Sequence, residues 1–463
     1  MVMSENDQYA CAGDLLKLDI GKTHTKLVRM INGGEDELVA QISSPTCASL
    51  SYPAIDVARI FEWFVETAAQ LQDKGSIAAV LPVAHGAAFA TLKAEELFFP
   101  VMDYEFVPPP AIEEAYSIIR PQFLETGSPE LPGMLNAAKQ LFYLQETHFS
   151  KFMQIDAIIP IAQYFSFRLS GKMCSEVSAL GCHTDLWNPG ASRFSALVEE
   201  RGWLALFPAL AKASSAIGRI KPDLARFIGL SEDVAILAGG HDSSIEVAPH
   251  LGAAEQNTVA LTTGTWFVLT KNCCNVTPFK RSEHAARTMG VDGSELIAAR
   301  FMGGRMVEDA ISNGAHLGID DLSSALENKV LFASAGHDRG SVVVNDIISA
   351  SLMEPTDREA RAAAICHLVL STLASLRQIG GAQRIIVLGR FAEDPFFLLA
   401  MWLFNPAVVV MVKRPESTGN PLERVFKKGK YVIPNKLDFG REQELRSLIP
   451  DYTDAWIELQ TGC

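Results

Sequence analysis

Two stretches of this chain are built alike, and together they narrow the folds open to it. Residues 14–28 read DLLKLDIGKTHTKLV and residues 257–271 read NTVALTTGTWFVLTK. Each is an apolar strand, a glycine with hydroxyl-bearing neighbours and a second strand, the pattern of a hairpin whose turn uses glycine's conformational freedom. A hairpin at the head of each half is what a duplication would leave. So short a likeness also arises by coincidence, and both origins stay open at this point.

Helices and further strands surround the two hairpins. Leu15–Ile20 and Thr25–Ile31 form the first hairpin, Asn32-Gly33-Gly34 is a turn signal, and Glu37–Ser43 alternates as a third strand, which predicts an antiparallel meander. The spacing of Ile55, Ile60, Phe61, Phe64 and Ala68 predicts a helix within 55–72, and Ile77–Val83 returns as a buried strand. Pro108-Pro109-Pro110 is expected to be a rigid loop, because a proline run continues neither a helix nor a strand ladder. Residues 135–147 and 162–169 read as helices, the second stopped by Ser170-Gly171-Lys172. In the second half Asp357–Ile379 is a long helix, Arg384–Leu388 a short strand, and Asp394-Pro395 the N-cap and first-turn proline of another helix. Strand, helix and strand in both halves make an α/β protein, and 463 residues divide most naturally into two domains.

Composition removes several functions. A net charge of −14 argues against binding nucleic acid, which needs concentrated Lys and Arg. No long uninterrupted apolar run suggests a membrane span, and MVMSENDQYACAGD lacks the order of a signal peptide, so a cytoplasmic protein with no membrane partner is expected. The eight cysteines, at 11, 47, 174, 182, 273, 274, 366 and 463, form no Cys-x-x-Cys pair and read as reduced thiols. Neither they nor the ten histidines have the spacing of a caged zinc or iron site, so a metal is expected to arrive with a substrate.

Two segments hold residues suited to chemistry. Asp19-Ile20-Gly21-Lys22-Thr23-His24-Thr25-Lys26 ends like a P-loop, but that motif needs a glycine five positions before Gly21, where Leu16 stands. It reads instead as a hairpin that lets the backbone approach a phosphate, with Thr and Lys donors and Asp19 placed to hold Mg²⁺ through water, or as an ordinary charged surface hairpin. The second segment, Val234–Glu246, is VAILAGGHDSSIE, an apolar strand ending in Gly239-Gly240 before His241 and Asp242. It delivers a carboxylate either to take a hydroxyl proton in phosphoryl transfer or to cap a helix expected over 244–250. Gly239 and Gly240 would serve as a hinge in the first case.

The order Asp-x-Gly hairpin, Gly-Gly-x-Asp, Thr-Gly-Thr hairpin resembles that of the FGGY carbohydrate kinases, members of the actin, hexokinase and heat-shock ATPase superfamily. The likeness runs from about Leu15 to about residue 425 and is most specific at LDIGKTHTKL, SGKM, AGGHDSS and LTTGTW. Gly-Gly-His-Asp is most similar to the L-rhamnulose and L-fuculose kinase-like branches. The resemblance implies two ribonuclease H-like domains around a central cleft: a polar tail over 1–13, a sugar-binding domain over 14–246 and a nucleotide-binding domain over 247–463. It implies ATP and Mg²⁺ as cofactors and a ketose or deoxyketose as the small-molecule partner, with a homodimer left open. Asp19 would position Mg²⁺ and Asp242 would be the general base. Gly21, Lys22, Thr23, Lys26, Gly264, Thr265 and Gly389 would face the nucleotide, and His85, Gly86, Asp103, His241 and Asp242 the sugar.

The chain departs from the family pattern in four places. Lys22 stands where a small hydroxyl residue is usual, and Glu105 where many members have Arg. Gly389-Arg390-Phe391-Ala392-Glu393-Asp394 keeps one glycine of a turn that is normally glycine-rich, and the C-terminal portion is divergent. These departures keep two alternatives in view: a different small-molecule kinase of the superfamily, and a non-catalytic sugar-binding or regulatory relative. A dehydrogenase is disfavoured, since no Gly-x-Gly-x-x-Gly follows a strand. Phe89 and Phe106 read first as core residues, with an apolar surface for a deoxy sugar's methyl as the alternative.

Overall fold

The computed structural model describes residues 13–48, 51–251, 257–264, 266–273, 285–304, 307, 317–335, 339–344, 356–413, 420–426, 431–432 and 441–461. The chain divides into two compact units. One comprises Met1–Ala253, Lys280–Ile297 and Pro415–Gly429; the other comprises Ala254–Phe279, Ala298–Arg414 and Lys430–Cys463.

In the first unit, strands β1 (Asp14–Ile20), β2 (His24–Met30) and β3 (Glu37–Ser43) form the antiparallel meander that their alternation predicts. Leu16, Leu18 and Ile20 enter one buried cluster together with residues of helix α1 (Val57–Ala69), while Leu15 enters another. Side chains alternate along a strand, so Asp19 lies on the Leu15 side of β1, one residue from its end. Strand β4 (Ile77–Ala84) runs parallel to β1 with Ala84 opposite Ile20. It is buried nearly throughout, as befits a central strand covered on both faces. Strands β5 (Ala216–Arg219) and β6 (Ala235–Leu237) complete the order β5-β6-β4-β1-β2-β3, and β7 (Gly240–His241) pairs with the end of β4.

Helix α2 (Pro110–Ile119) corrects the expected proline loop. Pro109 is its N-cap and Pro110 its first residue, where a missing N–H forfeits no helical hydrogen bond. Helices α3 (Ala137–Thr147) and α4 (Ile161–Ser170) follow the predicted pattern, and Gly171 closes α4 in the left-handed conformation at φ 74°. Phe89 is core, and Phe106 packs against Tyr52 and Tyr143.

The second unit repeats the central arrangement. Strands β8 (Thr258–Thr263) and β9 (Phe267–Asn272) form the second hairpin. Strand β10 (Arg384–Gly389) lies parallel to β8, and β11 (Val409–Lys413) and β12 (Tyr431–Val432) follow in the order β9-β8-β10-β11-β12. Helix α6, numbered after α5 (Asp242–Val247) in the first unit, spans Asp357–Gln378 and starts at a Thr356–Glu359 capping box. Among the described residues it alone is long and apolar enough to cross a membrane, yet 72% of that stretch is buried inside the protein. Helix α7 (Pro395–Phe404) begins as expected, with Asp394 accepting from the N–H groups of Phe396 and Phe397 at 3.0 Å. The five described cysteines, Cys47, Cys174, Cys182, Cys273 and Cys366, are unbridged.

Candidate active site

The first hairpin turn is closed by Gly21, whose N–H donates to His24 O at 3.0 Å; a Cβ at position 21 would lie 2.8 Å from that oxygen. Ser44 ties the turn to the sheet, donating its hydroxyl to Gly21 O at 2.6 Å and its N–H to Thr23 O at 2.9 Å. Thr23 and Lys26 are exposed. Asp19 is half-buried, with Lys17 Nζ 3.3 Å from its Oδ2.

Strand β6 leads into a bend that delivers His241 and Asp242. Gly239 sits at φ 71°, and a Cβ there would fall 1.9 Å from Pro82 O, so only glycine allows this approach to β4. Helix α4 holds the bend with buried polar groups: Gln163 Nε2 donates to Ala238 O and Gly239 O at 3.0 and 2.9 Å, and Ser166 Oγ lies 2.9 Å from Leu237 O. Gly239 N–H also donates to Ala213 O. Gly240 is tightly packed as well, since a Cβ there would lie 3.0 Å from Ser178 Oγ, so both glycines meet a packing demand inside the first unit, and the buried hydrogen bonds oppose the expected hinge. Glu176 reinforces the bend, accepting from Ser178 N–H, Ser178 Oγ and Ala179 N–H, while Ser178 Oγ receives His241 N–H at 3.2 Å. Burial pushes the Glu176 carboxyl up to about 7, against those hydrogen bonds.

Asp242 is the first residue of α5 and does not cap it; the N-cap is His241, without a side-chain hydrogen bond. The helix therefore starts two residues before the expected Ser244. Asp242 Oδ1 accepts from Ser243 N–H at 2.6 Å and lies 3.3 Å from His241 Nε2, while no described residue donates to Oδ2. Its side chain is 34% exposed, enough to meet a ligand. Burial of the carboxyl, and next the negative charge of Asp19, push it up to about 6, while His85 and Ser243 pull it down. His241 is pushed down to about 4 by burial and is neutral. Its Nδ1 lies 3.1 Å from Ser244 Oγ, whose own hydroxyl donates to Met289 O at 2.9 Å. Nδ1–H is therefore the donor of that pair, leaving Nε2 as an acceptor beside Asp242.

His85 follows β4, its N–H on Ile20 O at 2.9 Å. Burial lowers its pKa against the pull of Gly86 O, Asp242 and Asp103, with Lys22 adding to the lowering. Its Nδ1 is 2.9 Å from Gly86 O, so the neutral ring presents Nε2 as an acceptor. A side chain at Gly86 would meet Cys182 Sγ at 2.5 Å and the His241 ring at 3.2 Å. The Tyr104 ring stands edge-on to His85 at 5.2 Å.

Lys22 departs from its expected phosphate-facing place. Its ammonium rests 2.5 Å from both oxygens of Asp103 and 3.3 Å from Glu105 Oε2, with the Tyr104 ring 5.0 Å away. Asp103 Oδ1 accepts in addition from Glu105 N–H at 2.9 Å.

Thr265 lies outside the described residues, but Gly264 and Gly389 both adjoin Thr263 in the second unit. Gly264 N–H donates to Trp266 O at 3.1 Å. Gly389 has φ 77°, and a Cβ there would lie 2.7 Å from Thr263 O. Thr263 Oγ1 donates to Leu388 O and accepts from Phe391 N–H at 3.0 Å, which fixes the turn into the 3-10 helix Arg390–Glu393. Arg390 is exposed and lies over the neighbouring Phe391 ring.

Sequence reasoning missed Gln163, Ser166, Glu176, Ser178 and Tyr104. Polar residues within the buried helix α4 were the one local signal for the first two; Ser178 and Tyr104 act on partners distant in sequence, and Glu176 reaches the bend through Ser178.

This arrangement is the two-domain sugar-kinase fold of the actin and hexokinase ATPase superfamily. A carbohydrate kinase from Novosphingobium aromaticivorans matches it with TM-score 0.82 and 28% identity, covering 96% of this chain and 99% of that one. A xylulose kinase from Lactobacillus acidophilus (TM-score 0.71, 17% identity) and a Plasmodium falciparum glycerol kinase with ADP (0.70, 12%) share the fold over 96% of this chain and 98% of theirs. Residues 120–248 match the N-terminal domain of the FGGY family of carbohydrate kinases, and residues 255–424 match the carbohydrate kinase FGGY C-terminal domain. The chain belongs to the FGGY family of carbohydrate kinases. An L-fuculokinase from Escherichia coli K12 is 23% identical over 291 residues, a match that spans 60% of this chain and 60% of the relative.

Proposed function

We propose that the protein transfers the γ-phosphoryl group of ATP to a hydroxyl of a small sugar, a ketose or deoxyketose, with Asp242 as general base. The observation that carries this reading is the Asp242 carboxyl: accessible, with Oδ2 unengaged by any described residue and a pKa raised to about 6 by burial and by the charge of Asp19. A base of that pKa is ionised at neutral pH and stronger than an ordinary aspartate, which suits removal of a hydroxyl proton as the new O–P bond forms. The bond from the γ-phosphorus to the ADP oxygen breaks, and the proton stays on Asp242. Nε2 of neutral His241 would then receive a hydrogen bond from the acid formed. His85 Nε2, with Asp103, Gly86 and His241, would orient the sugar, and residues 14–246 would form its domain.

On the nucleotide side, within 247–463, Gly264, Thr265 and Gly389 would contact ATP, joined from the first hairpin by Gly21, Thr23 and Lys26. The N–H groups of Lys22 and Thr23 donate to no described residue, which suits an anion at that turn. Among the described residues no group of three or more His, Cys, Asp or Glu could hold a metal. A single half-exposed carboxylate, Asp19, fits Mg²⁺ that keeps its waters and phosphate oxygens. The ion would neutralise charge on the triphosphate. The −14 charge and the burial of α6 support a cytoplasmic protein without membrane or nucleic-acid partners.

The test is ADP release with Mg²⁺·ATP over L-fuculose, L-rhamnulose, L-ribulose, D-xylulose, gluconate and glycerol. Sugar-dependent release with a ketulose supports the reading. Sugar binding without ADP release on any of them overturns it.

A further inference from the structure

The Lys22 contact carries the reading of this site one step further. Lysine has three ammonium protons. Here two are donated to the Asp103 oxygens at 2.5 Å, and the Glu105 carboxylate lies 3.3 Å away as an ion-pair partner, so the charge is held by two acids. Asp103 is enclosed in turn: its side chain is 9% exposed, and the Lys22 ammonium and the Glu105 N–H cover its oxygens. With Lys22 in this position, Asp103 has almost no surface to offer a sugar. A sugar hydroxyl can bind Asp103 only as the ammonium withdraws, and the ammonium is carried by the tip of the hairpin whose free N–H groups suit a phosphate.

We propose that Lys22 is a sugar-released catalytic residue. Without sugar its charge is held by Asp103; sugar binding at Asp103 displaces it, and it moves to the phosphoryl group in transit, adding positive charge where the transition state needs it. This rests on the kinase reading given above and adds a way for the site to withhold one catalytic group until an acceptor other than water is bound. In sugar-free ATP hydrolysis, water attacks the γ-phosphorus, and ADP and inorganic phosphate leave. The held lysine keeps this reaction slow.

The experiment needs no knowledge of the sugar. ADP release from Mg²⁺·ATP alone is measured for the wild type, Asp103→Asn, Lys22→Met and the double variant, with thermal unfolding as the control for folding. Asp103→Asn frees the ammonium and is expected to raise sugar-free hydrolysis about tenfold, the size of one charge-assisted contact. Adding Lys22→Met should remove that rise. An unchanged or lower rate in folded Asp103→Asn, or a rise that survives Lys22→Met, overturns the inference alone. Should Asp103→Asn fail to fold, Lys22→Met is titrated with L-fuculose and D-xylulose by calorimetry. Affinity for whichever binds should rise about fivefold or more as Asp103 is uncovered, while turnover falls; weaker binding with turnover retained overturns the inference. Absence of ADP release from every protein, with or without the sugars, defeats the kinase reading itself and this inference with it.

Discussion

The hairpins at Asp14–Met30 and Thr258–Asn272 are each flanked by a parallel strand, and their registers can be laid over one another. Ile20 faces Thr25 on one side and Ala84 on the other; Thr263 faces Phe267 and Gly389. In this frame Asp19 corresponds to Thr262, and His85, the residue after β4, corresponds to Arg390, the residue after β10. The turns differ by one residue, since four lie between Ile20 and Thr25 and three between Thr263 and Phe267. One backbone plan therefore carries two chemistries: a carboxylate with an imidazole in the first unit, hydroxyls with a guanidinium in the second. The shared plan favours duplication over coincidence, because short sequence likeness alone would not reproduce the parallel partner strand.

The contrast between the units rests most heavily on Asp242 of the first unit acting as the proposed base. Asp242→Asn is expected to keep sugar binding and lower kcat by roughly 10²- to 10⁴-fold; turnover within a few-fold of wild type would remove Asp242 as the base. Asp19→Ala should lower Mg²⁺-dependent turnover by on the order of 10² with little change in sugar affinity. Its counterpart Thr262→Val should alter only the KM for ATP, by about threefold; equal effects at the two positions would erase the division of roles. The wild-type kcat/KM should rise with pH through about 6, the value given by burial of Asp242 beside Asp19, and fall about tenfold per pH unit below it. A flat profile from pH 5 to 8 would contradict that.

Backbone demands sharpen the same contrast. Gly389→Ala forces a Cβ to within 2.7 Å of Thr263 O at a positive φ, and should cost about 1–3 kcal/mol in urea unfolding, while Ala84→Gly at the matching position costs about 0.5–1 kcal/mol. The smallest effect is one of stability. Because the folded state raises the Asp242 pKa, it favours the protonated form, so the ionised form weakens the fold as pH rises through about 6. Asp242→Asn should therefore raise Tm by about 2 °C at pH 8, an advantage lost as pH falls towards the ordinary aspartate value.

The strands and helices near these hairpins were legible because alternation and helical spacing are local. Asp394-Pro395 marks a helix start by equally local chemistry, whereas Pro108 and Pro109 mask Pro110 as a first-turn proline by giving the run the look of a loop. The companionship of Lys22 with Asp103 was not legible, since it joins a turn to residues beyond β4, and sequence neighbours place that lysine among phosphate donors. Gln163 and Ser166 were hidden similarly: a polar residue in a buried helix announces that it has a partner without saying which carbonyls it meets.

Those two side chains also govern motion. Ala238 and Gly239 are bound to α4, and the Gly239 amide to Ala213, so the strand leading to Asp242 cannot swing without breaking buried hydrogen bonds. The amide protons of this bend should exchange with solvent among the slowest of their unit, and the Asp242 carboxylate should travel with that unit as a rigid fitting during any rearrangement.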